Sequence, residues 1–351
     1  MMRFVDLGSK AFQLLSPERA HNATLRALAT GLGPRACLAP DPRLKIQVAG
    51  LDFDNPIGLA AGFDKNAEVI RPMLALGFGF VEVGAVTPRP QPGNDRPRVF
   101  RLPADQAVIN RYGFNNDGLD VVARRLRRAA GRRGVVGVNL GANKDSEDRI
   151  ADYVKGVVAL EGLVDFYTVN ISSPNTPGLR ALQDKQSLAS LLDQVIVARD
   201  GLAKPAPVFL KIAPDLTDED KADIADVVRA AEIDGLIVSN TTIARPDSLV
   251  GRHAGEKGGL SGAPLFEPST RLLGEMRRAL GASTPLVGVG GVSSAADAYA
   301  KIRAGASLVQ LYTALVYKGP GLAQDIVRGL AARLQSDGFD AVADAVGADI
   351  D

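Results

Sequence analysis

The stretch LVGVGGVSSAADAYAKIRAGASLVQLY, residues 286–312, contains one complete repeat of the fold. It opens with the apolar run LVGVG (286–290) and closes with a second run, LVQLY (308–312). Between them, SSAADAYAKIRAGA (293–306) opens on serine and closes on glycine, which is typical of a helix. Both runs are continuous rather than alternating, as in parallel strands that are buried on both faces. The stretch therefore predicts a strand, a helix and a second parallel strand.

Six further apolar runs, each bounded by glycine or polar residues, precede this repeat. They are IGLAA (57–61), FVEVG (80–84), VGVNLG (136–141), FYTVNI (166–171), VFLKI (208–212) and GLIVS (235–239). Helical segments such as DKADIADVVRAAE (220–232) separate them. Eight strands that alternate with helices predict an α/β fold of the (β/α)8 TIM barrel type. A doubly wound open sheet is the alternative, which is disfavoured because no G-x-G-x-x-G opens the first unit.

Three segments lie outside this alternation. Residues 1–40 have the pattern of two short helices, and LKIQVAGLDF (44–53) has that of a hairpin across the bottom of the barrel. The long insertion 86–116 follows the second strand, and its apolar residues favour an ordered, functional loop. We therefore expect an N-terminal two-helix extension, residues 1–40, and a barrel domain, residues 41–351.

Composition excludes several classes of protein. Lys plus Arg is 41 and Asp plus Glu is 40, so the net charge of +1 argues against nucleic-acid binding. The basic run Arg124–Arg133 is interpreted as a solvated helix face. With one cysteine, Cys37, and two histidines, His21 and His253, no disulfide and no thiolate or histidine metal cluster is expected. No apolar stretch reaches the roughly 18 residues of a transmembrane helix, and no signal peptide is expected at the start.

The ends of the predicted strands carry polar residues and glycines. They read AAGFDK, GAVTP, NLGANK, NISSPN, KIAPD, SNTT, GVGG and YTA. In a TIM barrel these carboxyl ends converge on the active site. Asn139, Asn170 and Asn240 end three of the strands, and together they suit a flat heterocycle with carbonyl and N–H edges.

Two of these ends indicate what the mouth of the barrel binds. GVGG (288–291), beside YTA (312–314), fits a phosphate site, although tight strand-to-helix packing is an equally good reading. Lys211 is charged on an otherwise apolar strand, so it predicts a bound anion or an electron-rich ring, with a salt bridge to Asp215 as the alternative. A phosphate site, one buried lysine and several neutral amides together fit flavin mononucleotide (FMN) and a planar, polar second ligand. It fits hydrolysis poorly, since no histidine or carboxylate pair is in place.

These residues carry a resemblance to a known family. LAAGFDKN, TPRPQPGNDRPR, INRYGFNN, NISSPNTPGLR, KIAPDL, SNTT, GGLSG, GVGG and GASLVQLYTAL together resemble dihydroorotate dehydrogenase of the quinone-dependent, membrane-associated class 2. The strings cover about residues 50–320 in order, and SPERAH near the N-terminus is similar to that class as well. The resemblance implies oxidation of dihydroorotate to orotate in pyrimidine biosynthesis, with FMN as hydride acceptor and a membrane quinone as terminal acceptor.

The resemblance also implies the site residues. Those expected to hold FMN are Ala61, Gly62, Phe63, Asp64, Lys65, Ala85, Asn139, Asn170, Lys211, Ser239, Gly262, Gly291, Tyr312 and Thr313. Those expected to hold dihydroorotate are Lys65, Asn110, Arg111, Tyr112, Gly113, Phe114, Asn170, Asn175, Asn240 and Thr241. Two positions depart from the family: Ala85 stands where a hydroxyl residue is frequent, and Ser239 where threonine is. Only a backbone contact is therefore expected at Ala85.

The resemblance further implies a catalytic base in NISSPNTPGLR, residues 170–180. This base takes a proton from C5 of dihydroorotate while C6 gives a hydride to the flavin. Ser173 matches the family position, whereas strand alternation alone leaves Ser172 and Ser173 open. Because serine is a weak base, Thr176 is a candidate relay through water, and Phe114 is expected to shield the site.

The first helix predicted within residues 1–40 is amphipathic. One apolar face is formed by Phe4, Leu7, Ala11 and Leu15. The hydrophobic pattern alone favours two helices that simply pack on the barrel. The resemblance instead implies that they form an arm in the lipid headgroup region, which leads a quinone to the flavin. His21 is then expected near the tunnel entrance, with Arg101 and Tyr312 deeper. The resemblance also implies a monomer, bound peripherally to the cytoplasmic side of the cell membrane.

Two rival functions remain open at this stage. One is another FMN barrel oxidoreductase that passes electrons to a nicotinamide or an iron–sulfur partner. The other is a non-catalytic flavin- or pyrimidine-binding protein that has kept the fold. Reduction of a quinone analogue rather than NAD separates the first from the resemblance, and bleaching of a yellow protein by dihydroorotate separates the second.

Overall fold

A computed structural model describes residues 14–31, 33–173, 175 and 184–350 of the chain. Its strands, in chain order, are β1 (Ile46–Val48), β2 (Leu51–Phe53), β3 (Ile57–Leu59), β4 (Phe80–Val86), β5 (Val99–Leu102), β6 (Ala107–Asn110), β7 (Val135–Leu140), β8 (Phe166–Asn170), β9 (Val208–Ile212), β10 (Gly235–Val238), β11 (Gly259–Gly262), β12 (Leu286–Val289) and β13 (Leu308–Leu311). Eight parallel strands close a barrel in the order β10-β12-β13-β3-β4-β7-β8-β9. The predicted (β/α)8 barrel is confirmed, and each of its strands coincides with one of the eight apolar runs.

The helices lie mainly on the outside of the barrel. They are α1 (Pro17–Ala29), α2 (Ile70–Ala75), α3 (Leu119–Arg128), α4 (Arg149–Ala159), α5 (Lys185–Asp200), α6 (Asp218–Ala230), α7 (Phe266–Leu280), α8 (Ala295–Arg303), α9 (Thr313–Lys318) and α10 (Leu322–Ser336). Short 3₁₀ turns occupy Pro42–Leu44, Pro103–Asp105, Ala263–Leu265 and Val342–Ala345. The residues TDED (217–220) predict a cap-like acidic start for α6. The structure has a capping box there, in which Thr217 and Asp220 exchange side-chain and backbone hydrogen bonds.

The amino end of the barrel is closed by an apolar cluster. The predicted hairpin is present as β1 and β2, which pair antiparallel. Phe53 of this hairpin contacts Phe80 edge to face, with ring centroids 5.4 Å apart. Inside the barrel, Phe166 stacks on Phe209 at 5.1 Å. The barrel interior is therefore a packed core at this end, and the cavity lies at the other end.

The insertion after β4 is ordered, as predicted. It contributes β5 and β6, which form an antiparallel three-stranded sheet with β11. The third strand comes from a second insertion after β10, and the sequence did not predict it. The sheet stands beside the carboxyl ends of the barrel strands and carries Asn110 and the following loop to the mouth.

Helix α1 is the described part of the predicted two-helix extension; the first helix of that pair lies in residues 1–13, outside the described residues. The segment SPERAHNATLRALATGLG (16–33) predicts a helix with Ser16 as its cap and Pro17 at its first position. Pro17 does begin α1, but the Ser16 side chain makes no capping hydrogen bond. The Glu18 carboxylate pairs with Arg98 at 2.7 Å and Arg96 at 3.1 Å, which ties α1 to the insertion. No helix within residues 14–31, 33–173 and 184–350 is long and apolar enough to cross a membrane.

Candidate active site

A cavity of about 860 Å³ occupies the carboxyl end of the barrel and continues to α1. Its volume lies within the usual range for cofactor and substrate sites. The predicted site residues that line it are Ala61, Gly62, Phe63, Lys65, Ala85, Asn110, Tyr112, Gly113, Phe114, Asn139, Asn170, Ser173, Asn175, Lys211, Ser239, Asn240, Thr241, Gly262, Gly291, Tyr312 and Thr313. The ring of strand ends expected from the sequence is therefore one continuous site.

The three predicted asparagines lie in one hydrogen-bonded group. Asn170 donates through Nδ2 to Oδ1 of Asn139, at 2.8 Å. The Asn240 Nδ2 donates to the hydroxyl of Ser172 at 3.0 Å, and that hydroxyl donates to Oδ1 of Asn170 at 2.9 Å. Since all three asparagines also line the cavity, the group presents fixed amides to whatever binds there.

The structure separates the two serines that strand alternation left open. Ser172 is fully buried, its hydroxyl is engaged by Asn170 and Asn240, and it is not among the residues that line the cavity. Ser173 does line the cavity, and its Oγ accepts a 3.3 Å hydrogen bond from the backbone N–H of Asn175. Ser173 is therefore the serine whose hydroxyl faces the ligand space. The candidate relay Thr176 lies outside the described residues.

Lys211 has no ion-pair partner within the described residues. The alternative salt bridge to Asp215 is not formed, because the Asp215 carboxylate accepts hydrogen bonds from Thr242 and from the backbone N–H of Ile243. Burial lowers the pKa of Lys211, and the buried carboxylate of Glu82 acts in the opposite direction. A bound anion or electron-rich ring would favour the charged lysine, so the site suits such a ligand.

The glycine turn after β12 lines the cavity and packs tightly against α7. Gly291 has φ +75°, and a Cβ there would lie 2.4 Å from the Cβ of Phe266. At neighbouring Gly290, a Cβ would lie 2.7 Å from Oγ of Ser269. Thr313 stands opposite and donates from Oγ1 to the Ser261 hydroxyl at 2.8 Å. Only glycine lets this turn pack so closely on α7, and because Gly290 and Gly291 also line the cavity, the turn offers it backbone groups of the kind that bind phosphate.

Lys65 is the buried cation on the other side of the mouth. Its Nζ donates to the carbonyl of Gly62 at 2.6 Å and lies 4.1 Å from the ring centroid of Tyr112. Burial, with the nearby charge of Arg98, lowers the pKa of Lys65 to about 8, although Glu18 opposes the shift. This geometry leaves one ammonium group available to an anionic ligand.

Two predicted contacts are not supported for their side chains. The Asp64 carboxylate accepts hydrogen bonds from the backbone N–H groups of Glu68 and Val69, at 2.7 and 2.8 Å, and so shapes the turn after β3. Arg111 pairs with Glu256 at 2.8 Å and also donates to the carbonyl of Lys257. Neither residue lines the cavity, and both have scaffold partners that satisfy them.

The far end of the cavity is aromatic. His21 on α1 contacts Phe63 edge to face at 5.4 Å, and its ring centroid is 6.5 Å from that of Tyr312. Arg101 also lines this end and hydrogen-bonds the Leu15 carbonyl. Burial, together with the charge of Lys65, lowers the pKa of His21 well below its usual range, so the imidazole is neutral near pH 7. All three residues predicted for a quinone path therefore lie at one end.

Glu82 is a residue that the sequence reasoning missed. It lies within the apolar run of β4 and is fully buried, with its carboxylate on the amides of Asn139 and Gln310. The signal that identified Lys211, a charge inside a buried strand, was equally present here. Asn94 was also missed; its Nδ2 donates to the carbonyls of Arg111 and Asn175.

Fold and cavity together define a (β/α)8 barrel with its ligand site at the carboxyl ends of the strands, the arrangement of barrel enzymes. The family model for dihydroorotate dehydrogenase matches residues 43–334. The chain belongs to the dihydroorotate dehydrogenase family, which confirms the resemblance.

Similar proteins agree with this assignment. A protein of Parvibaculum lavamentivorans named dihydroorotate dehydrogenase (quinone) is 60% identical over 350 residues, 99% of each chain. One of Rhizobium leguminosarum with the same name is 58% identical over 332 residues, 93% of this chain and 91% of that protein. The Eimeria tenella enzyme in complex with ferulenol is 42% identical with a TM-score of 0.92, covering 95% of this chain and 96% of that one.

Proposed function

We propose that this protein oxidises dihydroorotate to orotate, with FMN as hydride acceptor and a membrane quinone as terminal electron acceptor. Its family and the names of its relatives support the reaction. The observation that carries the proposal is the continuous cavity from the strand ends to α1. A substrate site and a quinone path must both reach one flavin, and this cavity joins the two regions.

FMN, when bound, supplies the two-electron acceptor that takes the hydride from C6 of the substrate. The residues present fit it. The turn at Gly290 and Gly291 would hold the phosphate through backbone N–H groups. Lys211 and the amides of Asn139 and Asn170 would face the ring. The remaining proposed contacts are those of Ala61, Gly62, Phe63, Lys65, Ala85, Ser239, Gly262, Tyr312 and Thr313.

Ser173 is the proposed base that takes the proton from C5 of dihydroorotate. Its hydroxyl faces the cavity, whereas that of Ser172 is committed to two amides. Phe114 lines the same region, and its ring packs so closely on Gly141 that a Cβ there would lie 2.8 Å from Cε2. Excluding water in this way strengthens the electrostatic interactions around the reacting atoms.

Lys65 is the proposed partner of the substrate carboxylate. It is a buried ammonium held in place by the Gly62 carbonyl and the Tyr112 ring. An anion beside it would restore the charge that burial disfavours. Asn110, Gly113, Asn175, Asn240 and Thr241, which also line this end, are the proposed neutral contacts.

The N-terminal residues 1–40 are the proposed membrane arm. Leu14 is 90% exposed at the start of the described arm, and α1 brings His21 to the aromatic end of the cavity. A peripheral helical pair at the headgroup level would let a lipid-dissolved quinone enter there. The proposed location is the cytoplasmic side of the cell membrane, and the proposed state is a monomer.

The serine pair tests the catalytic assignment. We expect Ser173→Ala to keep FMN and orotate binding but to slow flavin reduction by dihydroorotate about 10²–10⁴-fold, the usual effect of losing a general base. Ser172→Ala is the matched control, and its rate of flavin reduction should fall much less. The measurement is anaerobic stopped-flow absorbance of the flavin. Equal losses in both variants would refute the choice of Ser173.

Removing residues 1–33 tests the membrane arm. The truncated protein should leave lipid vesicles and lose turnover with long-chain quinones, while flavin reduction by dihydroorotate persists. Leu14→Glu should weaken vesicle binding in the same direction. Val197→Glu, on an exposed position of α5, is the control and should bind as the parent does. Unchanged vesicle binding and quinone turnover after truncation would refute the membrane arm and would mean that these helices only pack on the barrel.

A further inference from the structure

Lys301 on α8 is a buried cation that takes no part in the proposed active site. It is 0% exposed, and it does not line the cavity. Its Nζ donates to Oγ of Ser269 at 2.6 Å and lies 5.4 Å from the ring centroid of Phe266. No carboxylate forms an ion pair with Lys301 among residues 14–31, 33–173, 175 and 184–350. A buried ammonium group with so few partners is costly, so its position needs a reason.

Lys301 lies behind the glycine turn that follows β12. Its two neighbours on α7, Ser269 and Phe266, are also the residues on which this turn packs. A Cβ at Gly290 would lie 2.7 Å from Oγ of Ser269, and a Cβ at Gly291 would lie 2.4 Å from Cβ of Phe266. A single side chain, that of Ser269, therefore separates the ammonium group of Lys301 from the backbone of the turn.

The peptide between Gly290 and Gly291 directs its two polar groups to opposite sides. Its carbonyl oxygen faces α7, since it lies 3.2 Å from Oγ of Ser269. In a planar trans peptide the N–H points the other way, so the N–H of Gly291 is directed away from α7. Gly291 lines the cavity, and its N–H has no acceptor within the part of the chain that the structure describes. The turn therefore stands between the Lys301 ammonium and the space proposed for a phosphate group.

A charge on each side of this turn would act on the other through the protein interior. Burial lowers the pKa of Lys301 to about 7, and the carboxylate of Asp297 opposes that shift. Part of the protein therefore carries no charge at Lys301 near pH 7. An anionic phosphate group across the turn would favour the charged lysine, and the charged lysine would favour the phosphate to the same extent. This mutual effect needs no direct contact.

We propose that Lys301 is a specificity-determining residue for the phosphate group of the flavin. Its ammonium group supplies a positive charge behind the turn at Gly290 and Gly291, so the site distinguishes FMN from riboflavin, which has the same ring and ribityl chain without the phosphate. The inference rests on the proposed function, in which this turn holds the FMN phosphate. Because Lys301 does not line the cavity, it acts across the turn and not by contact.

Lys301→Met tests the inference because methionine is a flexible, unbranched side chain without a charge. The full-length protein with FMN bound is dialysed to equilibrium at pH 7 against mixtures of FMN and riboflavin, and the ratio of the two bound flavins is measured. We expect the preference for FMN to fall about tenfold, as for a unit charge that acts over several ångströms in a protein interior. A lysine that only supports the packing of α8 on α7 predicts weaker binding of both flavins at an unchanged ratio. That result would overturn the inference.

Arg303→Met is the matched control on the same helix. Arg303 pairs with Asp337 and Asp349 near the surface, so this variant loses a charge that water screens, and its flavin ratio should stay within about twofold of the parent. Lys301→Gln is the second neutral variant, used where methionine does not fold, and its preference for FMN should also fall about tenfold. A parent protein that binds FMN and riboflavin equally well would contradict the inference alone. A parent that binds neither flavin would contradict the proposed function itself.

Discussion

The two ends of the barrel interior are built by the same strands and do different things. On β8, the inward side chain is Phe166 at the amino end and Asn170 at the carboxyl end. On β9, Phe209 is followed two residues later by Lys211. The first member of each pair packs in the apolar cluster, and the second lines the cavity. Stability and ligand chemistry are therefore separated along single strands, at a distance of a few residues.

The largest effect on folding should come from the amino end. Phe166 is 1% exposed and stacks on Phe209, and a Cβ at Gly137 would lie 2.0 Å from its ring. Phe166→Ala should lower the free energy of unfolding by about 3–5 kcal/mol, measured by urea denaturation. Flavin reduction by the folded fraction should be unchanged. Val197→Ala, at an exposed position, is the control and should cost less than about 0.5 kcal/mol. A catalytic defect in folded Phe166→Ala would break the separation of the two ends.

Lys211→Met addresses the carboxyl end of β9. Burial disfavours the charge of Lys211, so its removal should leave the stability of the flavin-free protein equal or higher. FMN should bind at least about tenfold more weakly, as expected for loss of a charge-assisted contact, and its reduction potential should become more negative. The measurements are FMN titration by fluorescence and a redox titration. Unchanged values in both would leave Lys211 with only a structural role.

Lys65 gives the mouth a pH dependence that the amino end lacks. Its pKa is lowered to about 8, so the free protein loses the lysine charge as the pH rises through that value. Orotate is anionic and should bind the protonated form, so its affinity should be constant below about pH 7 and fall up to about tenfold per pH unit above pH 8. Lys65→Arg, which stays charged, should lack this fall. Affinity independent of pH from 6 to 9.5 in the parent would exclude Lys65 as the carboxylate partner.

The smallest effect is expected midway between the two ends. Thr168 is fully buried on β8, and its hydroxyl has no hydrogen-bond partner among the described residues. Thr168→Val keeps the shape and removes the polar atom, so the free energy of unfolding should change by less than about 1 kcal/mol or rise. Thermal unfolding and flavin reduction are the checks. A loss above about 2 kcal/mol would indicate that the hydroxyl takes part in the polar network above it.

The sequence predicted the barrel well because strands buried on both faces must be apolar throughout. Strand β11 was missed, since its pairing of Gly259 with Asn110 joins residues far apart in the chain and no local pattern reports it. Ser172 and Ser173 could not be separated because both follow the last residue of β8, where strand alternation no longer applies. Ser16 occupies the N-cap position of α1, yet its side chain makes no capping hydrogen bond.

The predicted site residues were brought together where their strand ends converge. The two exceptions, Asp64 and Arg111, adjoin cavity residues in the chain, and only the structure gives the direction of their side chains. Glu82 was missed although it is a charge inside a buried strand, as Lys211 is; only its partners, Asn139 on β7 and Gln310 on β13, had to come from the structure.

An anaerobic titration of the purified protein tests the central claim most directly. The account predicts a yellow, FMN-containing protein whose flavin absorbance is lost when dihydroorotate is added and returns when a quinone is added. An absorbance that dihydroorotate leaves unchanged, or that only a reduced nicotinamide bleaches, would contradict it.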